Sequence, residues 1–181
     1  LPTVRLAPSI AVVALGQQLI IVGYPGVVVW HDFLHKKSRA EATVTFGRVS
    51  RFRLDVNERQ ILQTDAPISW GNSGGPAFNV RGEVIGLATF ISTTLEGDQA
   101  IQGFNFLIPI DSIQAMARQI GLTPSTDSPF TRVWDQAVEA IIEGRYRDAL
   151  THAEAADKLV PGLLDVERAI SRLRNHLGEK P

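Results

Sequence analysis

Up to about residue 110 the apolar positions fall in short runs with a period near two, the spacing of half-buried strands. Gln17 to Val22 is apolar and closes on Gly23 and Pro25. Ala42 to Phe52 alternates and is rich in Thr, Val and Phe. Arg59 to Thr64 is a further short run, and Ala77 to Val80 and Glu83 to Phe90 flank the tight-turn signal Arg81-Gly82. Phe104 to Ile108 is apolar and ends at Pro109. Six short strands with Gly and Pro between them predict a closed or nearly closed antiparallel barrel. After Pro109 the period lengthens. Asp111 is placed to cap a helix whose Ile113, Met116, Ala117 and Ile120 share one face until Gly121. Thr123 to Pro129 is polar and proline-bearing, a linker. Three helical runs follow: to Glu143 and the Gly144 break, to about Leu159 before Pro161, and to about Leu177. The chain therefore divides into a barrel with its terminal helix over 1–122, a linker over 123–130 and a helical segment over 131–178.

Composition narrows the function without choosing it. The 181 residues are 44% hydrophobic and 20% charged, ordinary for a globular protein. A net charge of −1 gives no electrostatic footing to a nucleic-acid partner or an anionic membrane. With no cysteine there are no disulfides, thiol nucleophiles or thiolate metal sites. No apolar run reaches the ~18 residues of a membrane span. No metal or cofactor is expected, because among the histidines only His31 and His35 are closely spaced and they lack a third ligand. The chain opens Leu1-Pro2-Thr3 without an initiator Met or a signal peptide pattern, as if cut from something longer.

The hexapeptide Gly71-Asn72-Ser73-Gly74-Gly75-Pro76 carries the candidate chemistry. Glycines this tight around a serine let backbone N–H groups approach an oxygen that gains charge, and they tolerate the backbone angles of the bend. A Gly-rich turn between strands has the same composition. The longer series Thr64-Asp65-Ala66, then the hexapeptide, then a strand, favours a serine-protease nucleophile loop.

In order, Gly16-Gln17-Gln18, Gly23-Tyr24-Pro25, Thr45-Phe46-Gly47-Arg48-Val49-Ser50, Gln63-Thr64-Asp65-Ala66, the Ser73 loop, Gly82-Glu83-Val84-Ile85-Gly86 and Gly103 through Pro109 resemble the second barrel of a chymotrypsin-fold serine protease of the HtrA-type bacterial branch. The resemblance covers about residues 10–121. It implies a mainly β, six-stranded Greek-key barrel. It also implies that the family's first barrel, with the catalytic His and Asp, belongs to the same parent chain and is missing here. Ser73 is then the nucleophile, and the Gly71 and Ser73 N–H groups form the oxyanion hole. Pro67, Ile68, Ser69, Phe104 and Phe106 line an apolar primary pocket, and Thr89, Phe90 and Ile91 form the edge that pairs with substrate backbone. Asn72 lacks the charge to hold a freshly cut N-terminus. Asp65 is a local hydrogen-bond acceptor, and Trp70 stands where the HtrA-type loop has proline. A catalytic pairing of His31 with Asp32 is conceivable, yet their flanks do not resemble the family's histidine loop. His152 and His176 read as surface positions of the helical segment.

Residues 130–163 resemble one tetratricopeptide repeat, with Ala137, Gly144-Arg145-Tyr146, Ala149, Ala156 and Pro161 at its positions. Ala140 and Ala153 stand where the repeat has large aromatics. A generic helical hairpin is the alternative. One repeat cannot bury its own apolar face, so the third helix (Leu163, Leu164, Val166, Ile170, Leu173, Leu177) serves as its cap. No PDZ pattern follows the barrel.

Two functions remain open. One is the C-terminal part of a trypsin-like serine endopeptidase acting on peptide or protein substrates, inactive as a fragment because its His and Asp lie elsewhere. The other is a barrel–repeat scaffold without catalysis. The family works mostly outside the cytoplasm, so a periplasmic, secreted or membrane-tethered location is expected by analogy. A barrel face lacking its partner is expected to self-associate or to be covered by Leu1–Ala14.

Overall fold

The computed structural model describes residues 4–39, 41–93, 100–125 and 127–178. Two compact units emerge, Val4–Thr123 and the stretch from Pro124 onward.

The first unit is a closed antiparallel barrel of six strands: β1 (Gln18–Gly23), β2 (Thr43–Leu54), β3 (Gln60–Thr64), β4 (Pro76–Asn79), β5 (Val84–Thr93) and β6 (Ala100–Pro109). The strand order is β1-β2-β3-β6-β5-β4, closed by β4 on β1. β3 and β4 follow each other in sequence but lie on opposite sides of this ring. Residues 65–75 must therefore cross the barrel end, and the Ser73 hexapeptide lies in that crossing. Alternation does the packing: in β1, Leu19 and Ile21 point inward and meet Val49, Leu62, Ala77, Ile85, Ala88 and Leu107 in one buried cluster.

The turn between β4 and β5 is built by side chains. Asn79 Oδ1 accepts the N–H groups of Arg81 and Glu83, and Asn79 Nδ2 donates to Glu83 Oε2. Arg81 adds an ion pair to Glu83 at 2.9 Å. Gly82, at φ 71°, supplies the left-handed position.

Three features differ from the sequence expectation. β6 begins at Ala100, ahead of Phe104, and passes through Gly103 at φ 86°, an interruption that periodicity cannot bridge. The segment between β1 and β2, to which the sequence pattern assigns no element, contains two single-turn helices, α1 (Gly26–Val29) and α2 (Lys36–Arg39), each too short to show a period. Asp111 does not cap α3 (Ile110–Gln119). The extended Pro109 is the N-cap, which moves Asp111 into the first turn. There its carboxylate accepts the N–H of Ile10 and the hydroxyl of Ser9, 2.9 Å away. With the Val84 N–H to Arg5 carbonyl and Ala7 N–H to Val84 carbonyl bonds, this stitches residues 5–10 to the barrel, and Ala7, Ile10 and Val13 join its core.

The second unit is helical: α4 (Pro129–Ile142), α5 (Tyr146–Leu159) and α6 (Leu164–Leu177). Ser128 caps α4 by accepting the Thr131 N–H. Gly144 (φ 75°) and Gly178 (φ 71°) end α4 and α6 in the left-handed conformation. Ala137, Ala140, Ala149 and Ala153 are fully buried, so small residues let α4 and α5 approach closely. Tyr146 packs at their junction and its ring meets His176 of α6 at 4.1 Å. Among the described residues no helix is long and apolar enough to cross a membrane.

Two expectations follow. A Cβ on Gly47 would lie 2.4 Å from the Ala66 backbone, so Gly47→Ala should cost about 1–3 kcal/mol in urea denaturation. The Glu83 carboxylate is held below the usual glutamate range, first by the Asn79 amide and then by Arg81, against partial desolvation. Its folded pKa is therefore below its unfolded one. The contribution to stability is full above the unfolded pKa and is lost as pH falls through the folded value. Glu83→Gln should flatten the acid limb of the stability profile, read by denaturation from about pH 3 to pH 7.

Candidate active site

The crossing connection is held at its entry by four polar contacts. Thr64 Oγ1 donates to the Arg48 carbonyl, the Asp65 carboxylate accepts the Arg48 N–H, Thr45 Oγ1 donates to the Pro67 carbonyl at 3.0 Å, and Asn105 Nδ2 donates to the Ala66 carbonyl at 2.9 Å. Ala66 is buried and lies on the bare Cα of Gly47. Ile68, expected in a pocket wall, is packed into the barrel core at 2% exposure.

Two consecutive turns then carry the chain past Ser73. Asn72 N–H donates to the Ser69 carbonyl, and Gly75 N–H donates to the Asn72 carbonyl. Gly71 (φ 96°) and Gly74 (φ 86°) take the left-handed angles these turns need. Gly71 is also confined sterically: a Cβ there would lie 2.4 Å from the Tyr24 carbonyl oxygen. The Gly26 N–H to Trp70 carbonyl bond of 2.6 Å ties this side of the loop to the end of β1. The exit is locked to β5 by Gly74 N–H to the Ala88 carbonyl and Ala88 N–H to the Gly75 carbonyl.

Ser73 is exposed, and its Oγ donates to the Thr89 carbonyl at 3.3 Å. That carbonyl is available because of a bulge. Ala88 pairs with Leu107 and Phe90 with Phe106, so Thr89 is the extra residue of β5. The N–H groups of Gly71 and Ser73 donate to no acceptor among the described residues. Two unpaired amides beside an exposed hydroxyl are the parts an acyl-transfer site requires. Asn72 is buried against the Cα of Gly23, with its Oδ1 unpartnered. It fixes the loop sterically and carries no charge.

The other expected positions are spread along the rim. Pro67 and Phe104 are exposed, and Ser69, Thr89 and Phe106 are half-buried. Phe90 and Ile91 continue β5 in the backbone, and their side chains lie outside the described residues. The histidines do not reach the serine hydroxyl through any hydrogen bond the structure records. His31 Nδ1 accepts the Phe33 N–H at 3.3 Å, and Asp32 lies 3.8 Å from Arg39, so these two do not form a dyad. Among the described residues no group of three or more His, Asp or Glu is arranged to hold a metal ion. The Thr89 bulge and the Asn105 tether were not foreseen; neither leaves a sequence signal beyond its place in a strand.

Comparison with known proteins agrees with this geometry. Residues 1–87 match the trypsin-like peptidase domain model. The barrel is similar to the trypsin-like peptidase barrels of HtrA/DegP proteases. The chain is 36% identical over 137 residues to a "Probable periplasmic serine endoprotease DegP-like" of Pseudomonas fluorescens, covering 74% of this chain and 25% of that one. It is 30% identical over 126 residues to "Serine protease Do-like HtrB" of Bacillus subtilis, covering 65% of this chain and 24% of that one. Among solved structures, "HtrA-type protease AlgW with decapeptide" superposes with a TM-score of 0.51 at 26% identity, over 64% of this chain and 32% of that one. The chain thus spans about a quarter of the length of these curated relatives. The close approach of the loop to the end of β1 makes the role of Gly71 testable. Gly71→Ala combines a left-handed residue with a backbone clash, and should cost about 2–5 kcal/mol in thermal or urea unfolding.

Proposed function

We propose that this chain supplies the nucleophile half of an HtrA-type serine endopeptidase. Ser73 Oγ attacks the scissile carbonyl of a peptide, and the amides of Gly71 and Ser73 receive the oxyanion. The observation that carries the reading is the exposed Ser73 hydroxyl beside two amides without partners, on a barrel akin to named serine proteases. Each such donor is worth about 3–4 kcal/mol at the transition state. Extended substrate adds along β5 at Thr89, Phe90 and Ile91, while Pro67, Ser69, Phe104 and Phe106 rim the pocket for the side chain before the cut, with Ile68 behind them. A peptide substrate is supported by the AlgW structure with its decapeptide.

A serine hydroxyl needs a base at neutral pH. We assign the His and Asp to a partner barrel outside the residues described, and expect the open barrel face to be covered by that barrel or, without it, by a second copy. An extracytoplasmic location is supported by relatives named periplasmic. The helical unit is proposed as a single tetratricopeptide-like repeat capped by α6, docking a partner.

A second reading, a scaffold that has lost catalysis, is favoured by one observation: the recorded hydrogen bond of Ser73 Oγ runs to a carbonyl, not to an imidazole. Fluorophosphonate labelling separates the two. The 181-residue chain alone should label slowly or not at all, and the chain joined to a histidine-bearing first barrel should label at Ser73. Ser73→Ala should abolish labelling and lower peptide kcat by roughly a million-fold. An assembled protein with His and Asp present and Ser73 inert would leave only the scaffold.

A further inference from the structure

The nucleophile loop has two flanks, and the proposed function uses one of them. On the first, Ser73 Oγ touches the Thr89 carbonyl of β5, the strand assigned to the acyl half of a substrate. On the second, Gly71 and Trp70 lie against the turn after β1, through the Tyr24 carbonyl and the Gly26 N–H. An extended peptide that pairs its acyl half with β5 and passes Ser73 must leave over this second flank.

That flank is a cleft of about 690 Å³. Its lining includes Val27, Trp30, Phe33 and Trp70, together with His31 and Asp32. The aromatic side chains stand open: Trp30 is 75% exposed, Phe33 90% and Trp70 68%. Trp30 does not fold away, because its ring covers the bare Cα of Gly26, where a Cβ would lie 2.5 Å from it. Three peptide links join Trp70 to Ser73, so their Cα atoms are at most about 11 Å apart, the span of about three extended residues. The cleft is continuous with the nucleophile loop, since Trp70 belongs to both. Exposed tryptophans held in place beside a reacting group are suited to gripping an apolar side chain.

We propose that this cleft is the subsite for the leaving-group half of the substrate, and that it selects a bulky apolar side chain within the first three residues after the scissile bond. The inference rests on the hydrolase reading of Ser73 and adds to it the substrate class on the far side of the cut. Trp30 and Phe33, together with Trp70, are then the specificity-determining residues of that side.

The chain carries its own reporters: Trp30 and Trp70 line the cleft, and the third tryptophan, Trp134, stacks on Phe130 in the helical unit. The experiment titrates the 181-residue chain with tetrapeptides bearing a free amino terminus, headed by Leu or by Ala and otherwise all Ala, and follows tryptophan emission. A saturable blue shift with the Leu-headed peptide, at least about tenfold weaker with the Ala-headed one, is expected. Phe33→Ala should weaken the Leu-headed response several-fold, and its 90% exposure means that the variant folds. In the protein joined to its first barrel, the kcat/KM preference for Leu over Ala just after the cut should be about tenfold and should fall toward one in Trp30→Ala. Equal responses to both peptides, or none, in a protein whose Ser73 accepts fluorophosphonate would overturn this subsite and leave the hydrolase standing. A peptide response in an assembled protein whose Ser73 cannot be labelled would overturn the leaving-group assignment together with the hydrolase.

Discussion

The backbone of residues 65–75 lies directly against the backbones of β1 and β2, and the position of Ser73 depends on that contact. Gly47 meets Ala66, Gly71 meets the Tyr24 carbonyl, and Gly75 meets the Val22 carbonyl, each so close that a methyl group would collide at 2.4 Å. The cause is topological. A connection between strands on opposite sides of a closed ring has to run over the end of the barrel, and a side chain beneath it would lift it away. The glycines of the hexapeptide therefore serve two ends: some set the turns, others let main chain touch main chain. Ser73 stands outward because the residues around it are pinned inward.

The bulge at Thr89 completes the arrangement. In a regular ladder its carbonyl would be bound to a neighbouring strand. As the extra residue between two ladder pairs it faces the Ser73 hydroxyl instead. Asn105, on the neighbouring strand, uses its amide to hold the Ala66 carbonyl at the loop's entry. The loop thus rests on four strands, β1, β2, β5 and β6.

Much of this was legible in the chain before its structure. The strands declared themselves through alternation and through turn residues such as Arg81-Gly82, and the helices through their period. The lineage was legible because Ser73 sits within an ordered series of motifs. What stayed hidden has physical reasons. Single-turn helices at 26–29 and 36–39 are shorter than the period that would reveal them. Asp111 looked like a cap because it precedes an apolar face, but the fixed geometry of Pro109 starts the helix earlier and frees the carboxylate for Ile10. Ile68 read as pocket lining and is core, since a short apolar stretch does not say which side of a loop faces the barrel. The roles of the site residues rest on geometry that only a reacting base will complete.

The stitching of residues 5–7 to Val84 has a mechanical side. Val84 opens β5, and five residues later the same strand presents the carbonyl that holds Ser73. The strand is clamped at its origin and at its bulge, so it cannot slide by one residue without turning Ala88 outward and Thr89 inward. The segment ahead of the barrel and the serine loop thereby share one strand as their support.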